Sequence, residues 1–451
     1  MPQDLRTYLD LIKRDHPEDF QVVSREVDPA YEITAITVKL EQEMKRRPVL
    51  LFEKVKGSKF PVLTNLHASR ARLALAMGAR PEEMQRRYLR AMEKPVAPKT
   101  VSQAPVKEVI LTGDRIDLHH FPQLIHHEGD AGAYITGAIS FAKDPDGTIW
   151  NCAYNRLMIQ GRDQTSIHLT LAKHLWEFYR LAEARGESLP VAFAIGVHPA
   201  IALGALAIGS IDEDERAIMG ALLGEPLELV QCETSDLLVP AQAEIVIEAE
   251  ILPHERTAEG PFGEFTGYSL GERQRQVVKV RAVTHRKDAL FQDICVGHLD
   301  HMMLSTTPIE ANIYRAVRAM VPSVKTVRVP APFTCYVSIE QRVPGQAKNA
   351  IMAVFGADLY IKRVVVVDHD VDVFNERQVS WAMATRCQPD RDILIISNAR
   401  GSDLDPSAKE DGYTAKWGVD ATAKPSLEGY TPRHRIPRDV WQRIKIKDFL
   451  P

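Results

Sequence analysis

The chain has 451 residues, too many for one ordinary domain, and two or three are expected. With 45% hydrophobic and 26% charged residues it has the make-up of a soluble globular protein, and a formal net charge of −4 gives no reason to expect a nucleic acid as partner. The five cysteines (Cys152, Cys232, Cys295, Cys335, Cys387) are odd in number and form no Cys-x-x-Cys pair, so a reducing compartment, the cytoplasm, is expected.

The N-terminus is charged throughout and unlike a signal peptide. Asp4 to Asp15 has the helical spacing of Leu5, Leu9, Leu11 and Ile12. Short apolar segments follow at Ile33–Val38, Val49–Val55 and Pro61–Leu66. Ser69 then caps a helix through Ala76 that Gly78 ends. This is a small α/β unit. Glu93 to Val109 holds Pro95, Pro98 and Pro105 with little periodicity and reads as a linker, which puts a domain boundary near 105.

Ala133–Ala142 and Thr148–Ile159 flank Asp144-Pro145-Asp146-Gly147, a hairpin signal. Ser166 to Arg185 reads as an amphipathic helix with Leu171, His174, Leu175, Phe178 and Leu181 on one face. The apolar run Pro190 to Ile208 is broken by Gly196, His198, Pro199 and Gly204, which fits a strand plus a buried helix better than a membrane span. Ser210 to Glu213 has a capping-box pattern, opening a helix with Glu215 in its first turns. Strands are expected at Leu227–Cys232, Glu244–Leu252 and Gln276–His285, so the centre is β-rich with inserted helices.

Beyond Pro308 the pattern changes. A helix is expected from about Ile309 to Met320 and a half-exposed strand at Val324–Val329. A β-α-β unit of a parallel sheet follows, built from Arg363–Val367, a helix to about Ala384, and Asp392–Ser397. The chain ends in a basic, partly helical tail, Arg438 to Leu450, of a kind that often docks on a partner subunit.

Within Glu259 to Tyr268 (Glu-Gly-Pro-Phe-Gly-Glu-Phe-Thr-Gly-Tyr), Glu259 and Glu264 sit five apart around Gly260, Pro261 and Gly263. Pro261 disfavours helix and the glycines open unusual dihedrals, so a loop can turn both carboxylates toward one point. Two readings stay open, a surface loop with solvated glutamates or a pocket framed by Phe262, Phe265 and Tyr268. Asn151 to Arg156 lies on the second hairpin strand. Arg is the natural partner of two carboxylates, but Asn151 and Arg156 have opposite parity and share a pocket only if the strand bulges, its end turns, or a large ligand wraps it. Asn151, His174 and Glu215 would together offer two oxygens and one nitrogen, a set for Mn²⁺ or Mg²⁺. Taken singly, His174 is more often a packed core residue and Glu215 a helix-dipole partner. His119-His120 and His126-His127 are metal-capable, or loop residues near an entrance. Asp368, Asp370 and Asp372 end a strand where ligands often bind, or form a solvated loop.

Joined together, these signals resemble the UbiD family of decarboxylases. The resemblance rests on the Glu259–Tyr268 stretch and the Val239–Glu248 segment before it. Asn151 to Arg156 looks like the family's cofactor strand, Lys173-His174-Leu175-Trp176 like its metal-ligand helix, and Glu215 with Gly220 and Gly224 like its third ligand. Ala415 to Thr422 is similar to the segment that supplies a lysine to the cofactor phosphate, here Lys416. The resemblance implies an N-terminal α/β domain (1–105), a central split β-barrel of flavin-reductase type holding prenylated FMN (106–307), and a C-terminal α/β domain (308–451) whose tail helps make a homodimer; some members form hexamers. It implies Arg156, Glu259 and Glu264 as the catalytic network. Asn151, His174 and Glu215 would hold Mn²⁺ (or Mg²⁺) at the flavin phosphate, with K⁺ nearby. Cys152, Ala153, Tyr154, Asn155, Arg156, Lys173 and Lys416 would contact the cofactor, which a flavin prenyltransferase would supply. Lys173 departs from the Gln of the ferulic acid decarboxylases. His298, His301 and Met302, with Met303, are expected in the substrate pocket.

The expected activity is reversible, non-oxidative decarboxylation of an aromatic, heteroaromatic or α,β-unsaturated acid, with Glu264 as proton donor. The two histidines favour a polar ring over a plain cinnamate. A plain flavin oxidoreductase on the same barrel leaves the two carboxylates aimed at an Arg unexplained. A non-catalytic subunit of a larger carboxylase sits poorly with a full catalytic set. No membrane partner is expected.

Overall fold

The computed structural model describes residues 3–449 apart from 172, 410–411, 425–430, 432 and 435, so Leu450, the end of the expected tail, lies outside the described residues. Its centre is organised by two long antiparallel strands, Ile245–Glu259 and Arg273–His285, whose register shifts between Glu248 and Ala249 and again between Ile251 and Arg256. Such irregularities bend a ladder. The sheet built on them is nine-stranded and curls into a half-barrel. Along the sheet, Tyr134–Ile135 is followed by Leu157–Ile159, Gln164–Ile167, Arg273–His285, Ile245–Glu259, Leu189–Ile195, Ile139–Lys143 and Trp150–Tyr154; Val109–Thr112 also pairs with Arg273–His285.

The strand Leu189–Ile195 reads as an unbroken apolar run because both faces are covered. Leu189, Val191, Phe193 and Ile195 join one core and Ala192 and Ala194 the other. The second core contains the buried helices Pro199–Gly204 and Glu215–Leu223, and it continues into the C-terminal unit through Val337, Ile351 and Val364.

The N-terminal unit packs helices on a four-stranded sheet, Phe20–Val23, Val49–Phe52, Val62–Thr64 and Phe291–Gln292. Its last strand comes from far along the chain and lies parallel to Val62–Thr64, so the cavity-side segment after Gln292 is tied to the first domain. The C-terminal unit has the order Val324–Ala331, Thr334–Ile339, Arg363–Asp368, Tyr413–Ala421 and Ile393–Arg400. The architecture is therefore mixed α/β with a curled half-barrel between two α/β units.

Several elements differ from the expectation. Ile33–Val38 belongs to the helix Glu32–Gln42. Gln164–Ile167 is a strand held on both sides by antiparallel partners, so the helix expected from Ser166 begins only at His174, and Leu171 stands 71% exposed. The Ser210–Glu213 pattern makes a turn. The helix is capped four residues later by Asp214, whose carboxylate accepts from Arg216 N and leaves Glu215 as the first helical residue. The helix expected near Ile309 starts at Leu299 and runs through Pro308 to Met320, crossing the 307/308 division. Ile393–Arg400 runs antiparallel to Tyr413–Ala421, which is itself parallel to Arg363–Asp368, so the expected parallel β-α-β unit is absent there. In the expected linker, Lys99–Thr100 pairs in parallel with Glu228–Leu229.

Candidate active site

Arg156 lies in the turn between the strands Trp150–Tyr154 and Leu157–Ile159. The strand ends at Tyr154, so Arg156 is not bound by its alternation. Arg156 Nε and Nη2 donate to Glu259 Oε1 and Oε2 at 2.9 and 3.3 Å, a bidentate fork. Its Nη1 donates to Glu264 Oε1. The guanidinium lies 4.7 Å from the Phe262 ring centroid. Glu259 and Glu264 are both buried, at 2% and 8% exposure, which excludes the solvated-loop reading. Burial works against the Arg156 charge, but Glu264 and Glu259 outweigh it and raise its pKa above the ordinary arginine value. Burial pushes the Glu264 carboxyl above the usual range; Arg156 pulls it back and Glu259 adds to the rise. A carboxyl whose pKa is raised in this way is suited to carry a proton.

The loop is shaped by its glycines. Gly260 has φ 88°, closed to most side chains. A Cβ on Gly263 would come 2.6 Å from His127 Nδ1, so the loop and the His127 ring fit only with glycine there. Asp130 fixes this approach: its Oδ1 accepts from Gly263 N at 2.9 Å, and its Oδ2 from His127 N and His126 N at 2.9 and 3.2 Å.

A second cation reaches Glu259. Arg275, from the strand Arg273–His285, places Nε 3.6 Å from Glu259 Oε2. His168 packs against the same charges. Its burial, with the positive charges of Arg156 and Arg275, lowers its pKa to about 3, so it is neutral near pH 7.

A cavity of about 260 Å³ opens on this network, with Tyr154, Asn155, Arg156, His168, Glu264 and His301 among its lining. His301 lies in the first turn of the helix Leu299–Met320 beside Phe265, and burial lowers its pKa to about 4. His298, the N-cap of that helix, stacks on His127 with Nε2 atoms 3.4 Å apart. His298, Met302 and Met303 do not line the cavity. They occupy the cap and the neighbouring positions of a helix that presents His301, Leu304 and Ser305 instead.

A second cluster sits at the start of the Asn151–Arg156 segment. Asn151 Nδ2 and Cys152 N donate to Glu215 Oε1 and Oε2 at 3.1 and 3.2 Å. His174 Nδ1 stands 3.9 Å from Glu215 Oε1. Asn151 Oδ1 is buried with no hydrogen-bond partner, an arrangement that costs about 1–3 kcal/mol unless something fills it. Burial raises the Glu215 carboxyl to about 7. A carbonyl oxygen, a carboxylate and an imidazole grouped around Glu215 are a donor set that fits a divalent cation.

Lys173 is the exposed N-cap of the His174 helix. Lys416 is used elsewhere. It points to the covered face of the C-terminal sheet, donates from Nζ to Leu359 O at 2.7 Å, and lies 5.5 Å from the Phe355 ring centroid. Asp368 and Asp370 pair with Arg386. His119 and His120 are exposed, and His126 is buried. Sequence reasoning missed Arg275, Asp130 and His168. Arg275 lay just ahead of the strand expected at Gln276–His285, which in the structure begins at Arg273 and carries Arg273 and Arg275 in alternation. Asp130 had no signal, because its role is to bind backbone brought in from residue 263.

Three family models match the chain: the N-terminal domain of 3-octaprenyl-4-hydroxybenzoate carboxy-lyase over 13–92, its Rift-related domain over 99–299, and its C-terminal domain over 302–421. The chain belongs to the UbiD family. A curated relative, the anhydromevalonate phosphate decarboxylase of Methanothermobacter thermautotrophicus, is 37% identical over 93% of this chain and 96% of its own. The phenolic acid decarboxylase of Sedimentibacter hydroxybenzoicus is 32% identical over 93% and 91%. The UbiD-class enzyme HmfF of Pelotomaculum thermopropionicum, solved with FMN, superposes with a TM-score of 0.93 at 43% identity over 99% of this chain and 100% of that one. An evolved dimeric form of HmfF, solved with prFMN, gives 0.89 at 40% identity over the whole of both chains. This UbiD-family member is a carboxy-lyase. Among the described residues no helix is long and apolar enough to cross a membrane.

Proposed function

We propose that this chain decarboxylates, reversibly and without net oxidation, an aromatic, heteroaromatic or α,β-unsaturated carboxylic acid with the help of prenylated FMN. The observation that carries the reading is Arg156 holding both Glu259 and Glu264 at the wall of a cavity, with the Asn151–His174–Glu215 donors at the other end of the same Asn151–Arg156 segment.

Loss of CO₂ from an sp² carbon leaves an electron pair that no side chain can accept, and the prenylated flavin, when bound, supplies the sink. The protein's part is orientation and proton transfer. With Glu264 protonated, its hold on Arg156 Nη1 weakens, and that N–H is available to a substrate carboxylate. Glu259 keeps the guanidinium in place through its fork, and Arg275 balances the Glu259 charge. After CO₂ departs, the Glu264 proton goes to the carbon that lost it, and Glu264 returns as a carboxylate to Arg156. Because the two carboxyls share one Arg, they titrate as a unit. His301, neutral at pH 7, would contact a polar ring substituent, which favours a phenol or heteroaromatic acid.

Asn151 Oδ1, His174 and Glu215 would hold Mn²⁺ (or Mg²⁺) against the flavin phosphate, with K⁺ beside it. Cys152, Ala153, Tyr154, Asn155 and Lys173 flank this line and would contact the cofactor, which a flavin prenyltransferase would provide. The three-part division 1–105, 106–307 and 308–451, a cytoplasmic location and a homodimer formed through the tail belong to the same proposal. Trp441 and Phe449, at 70% and 64% exposure on that tail, are apolar surface of the kind a second copy would cover.

The test is a panel of such acids, incubated in D₂O with protein co-expressed with a flavin prenyltransferase. The expected result is CO₂ release with one deuterium at the carbon that carried the carboxylate. Nicotinamide oxidation without CO₂ release would contradict the reading and favour a flavin oxidoreductase.

A further inference from the structure

We propose that His126, Asp293 and Cys295 form a second metal site, buried behind the cavity wall and suited to Zn²⁺. One donor atom from each lies within 4.8 Å of the others, and the residues are 4%, 0% and 0% exposed. His126 Nε2 and Asp293 Oδ1 are 3.3 Å apart, close enough for an ion pair. Yet the His126 Nε2–Asp293 Oδ1 approach falls short of a well-directed hydrogen bond, and Asp293 Oδ2 has no hydrogen-bond partner. A bare imidazolium–carboxylate pair would align the N–H with an oxygen. Two donors close together but not aimed at each other is the relation of two ligands sharing one ion. Fully buried polar atoms without partners call for such an explanation.

Each of the three residues is also contacted by a threonine. Thr34 Oγ1 lies 2.9 Å from His126 Nδ1, which leaves Nε2 to face inward. Thr136 Oγ1 donates to Asp293 Oδ1 at 2.7 Å, and Thr64 Oγ1 lies 3.7 Å from Cys295 Sγ. Outer partners of this kind fix ligand orientation in metal sites. A divalent ion on one carboxylate, one thiolate and one neutral imidazole leaves no net charge in the interior. Thiolate with imidazole and carboxylate is a Zn²⁺ set, with the fourth position left for water or a threonine hydroxyl. The Asn151–His174–Glu215 cluster is harder and lacks sulfur, so the two sites would select different ions.

The site joins three parts of the fold. Thr34 and Thr64 come from the N-terminal unit, His126 from the loop that braces Gly263, and Asp293 and Cys295 from the segment whose Ile294 and Val296 line the cavity. An ion here would pin the cavity wall.

The test is Zn K-edge absorption on the full chain, stripped by chelator of its metals and of any flavin they anchor, and reloaded with Zn²⁺ alone. It reads the ion directly, whatever the flavin absorbs. The expected result is one tightly held Zn²⁺ per chain with a single sulfur neighbour at about 2.3 Å. That sulfur is lost in Cys295→Ser and kept in His174→Ala. A wild-type spectrum with only nitrogen and oxygen neighbours, or no stoichiometric Zn²⁺ after reloading, overturns the proposal without any variant having to fold.

Discussion

The two ends of the Asn151–Arg156 segment are built on opposite principles. At the Arg156 end, every guanidinium nitrogen already has a carboxylate oxygen, and Glu259 is in reach of a second arginine. At the Asn151 end, a buried carbonyl oxygen has no partner and Glu215 is pushed toward the neutral form. Breaking a buried charge pair costs about 3–5 kcal/mol, so the first end is preorganised by its own charges. The difference is one of satisfaction: the Arg156 end is complete within the protein, and the Asn151 end presents donors suited to a cation.

Mutations at the two ends should therefore separate chemistry from loading. The largest effect is expected for Glu264→Gln, which removes the proton but keeps the shape. CO₂ release should fall by about 10²–10⁴-fold while flavin per chain, read by absorbance, stays at the wild-type level. Near-wild-type turnover would remove Glu264 from the reaction. Next come Glu215→Ala and His174→Ala, for which metal affinity should drop by about 10–100-fold or more and flavin should be lost with the metal. Full flavin occupancy in either variant would refute the anchoring role.

Arg275→Met tests the second arginine. With one positive charge gone, the carboxyl pair should hold its proton to higher pH, moving the alkaline limb of the rate profile upward. The turnover number should fall by about tenfold with little change in KM. An unmoved limb would make Arg275 merely structural. The smallest effect concerns stability. His168 and His301, with folded pKa values of about 3 and 4, are neutral when folded and take up protons near 6.5 when unfolded. Their contribution is present in full above pH 6.5 and is lost as pH falls from there toward 4. Denaturant midpoints at pH 7.5 and 5 should show the drop, and His168→Gln should flatten it.

What could be read from the sequence depended on how local the cause was. Glu259 and Glu264 were legible because one loop of glycines and a proline holds both. Glu215 was placed in its helix, but its cap was not, because Ser210 and Asp214 both suit the cap and only the fold decides between them. The strand Gln164–Ile167 was hidden inside an apparent helix, since its stability lies in ladders to residues 157–159 and 276–279. His301 was picked out, but its neighbours His298 and Met302 were grouped with it. His298 is instead the N-cap of the helix beginning at Leu299, stacked on His127, and Met302 stands one position on from His301, off the cavity. Lys416 matched a remote segment in order along the chain, while its amine is taken by Leu359 O. The Asp130 brace depends on a backbone donor 133 residues away, Gly263 N, and no sequence pattern carries that.

The central claim is that this cavity holds prenylated flavin against a metal at Asn151, His174 and Glu215. It is tested most directly by the mass of the cofactor released from protein co-expressed with a flavin prenyltransferase, measured together with metal content. The account predicts prenylated FMN near one per chain, with one Mn²⁺ or Mg²⁺ that disappears in Glu215→Ala. Unmodified FMN alone, or a protein that folds and carries no flavin, would contradict it.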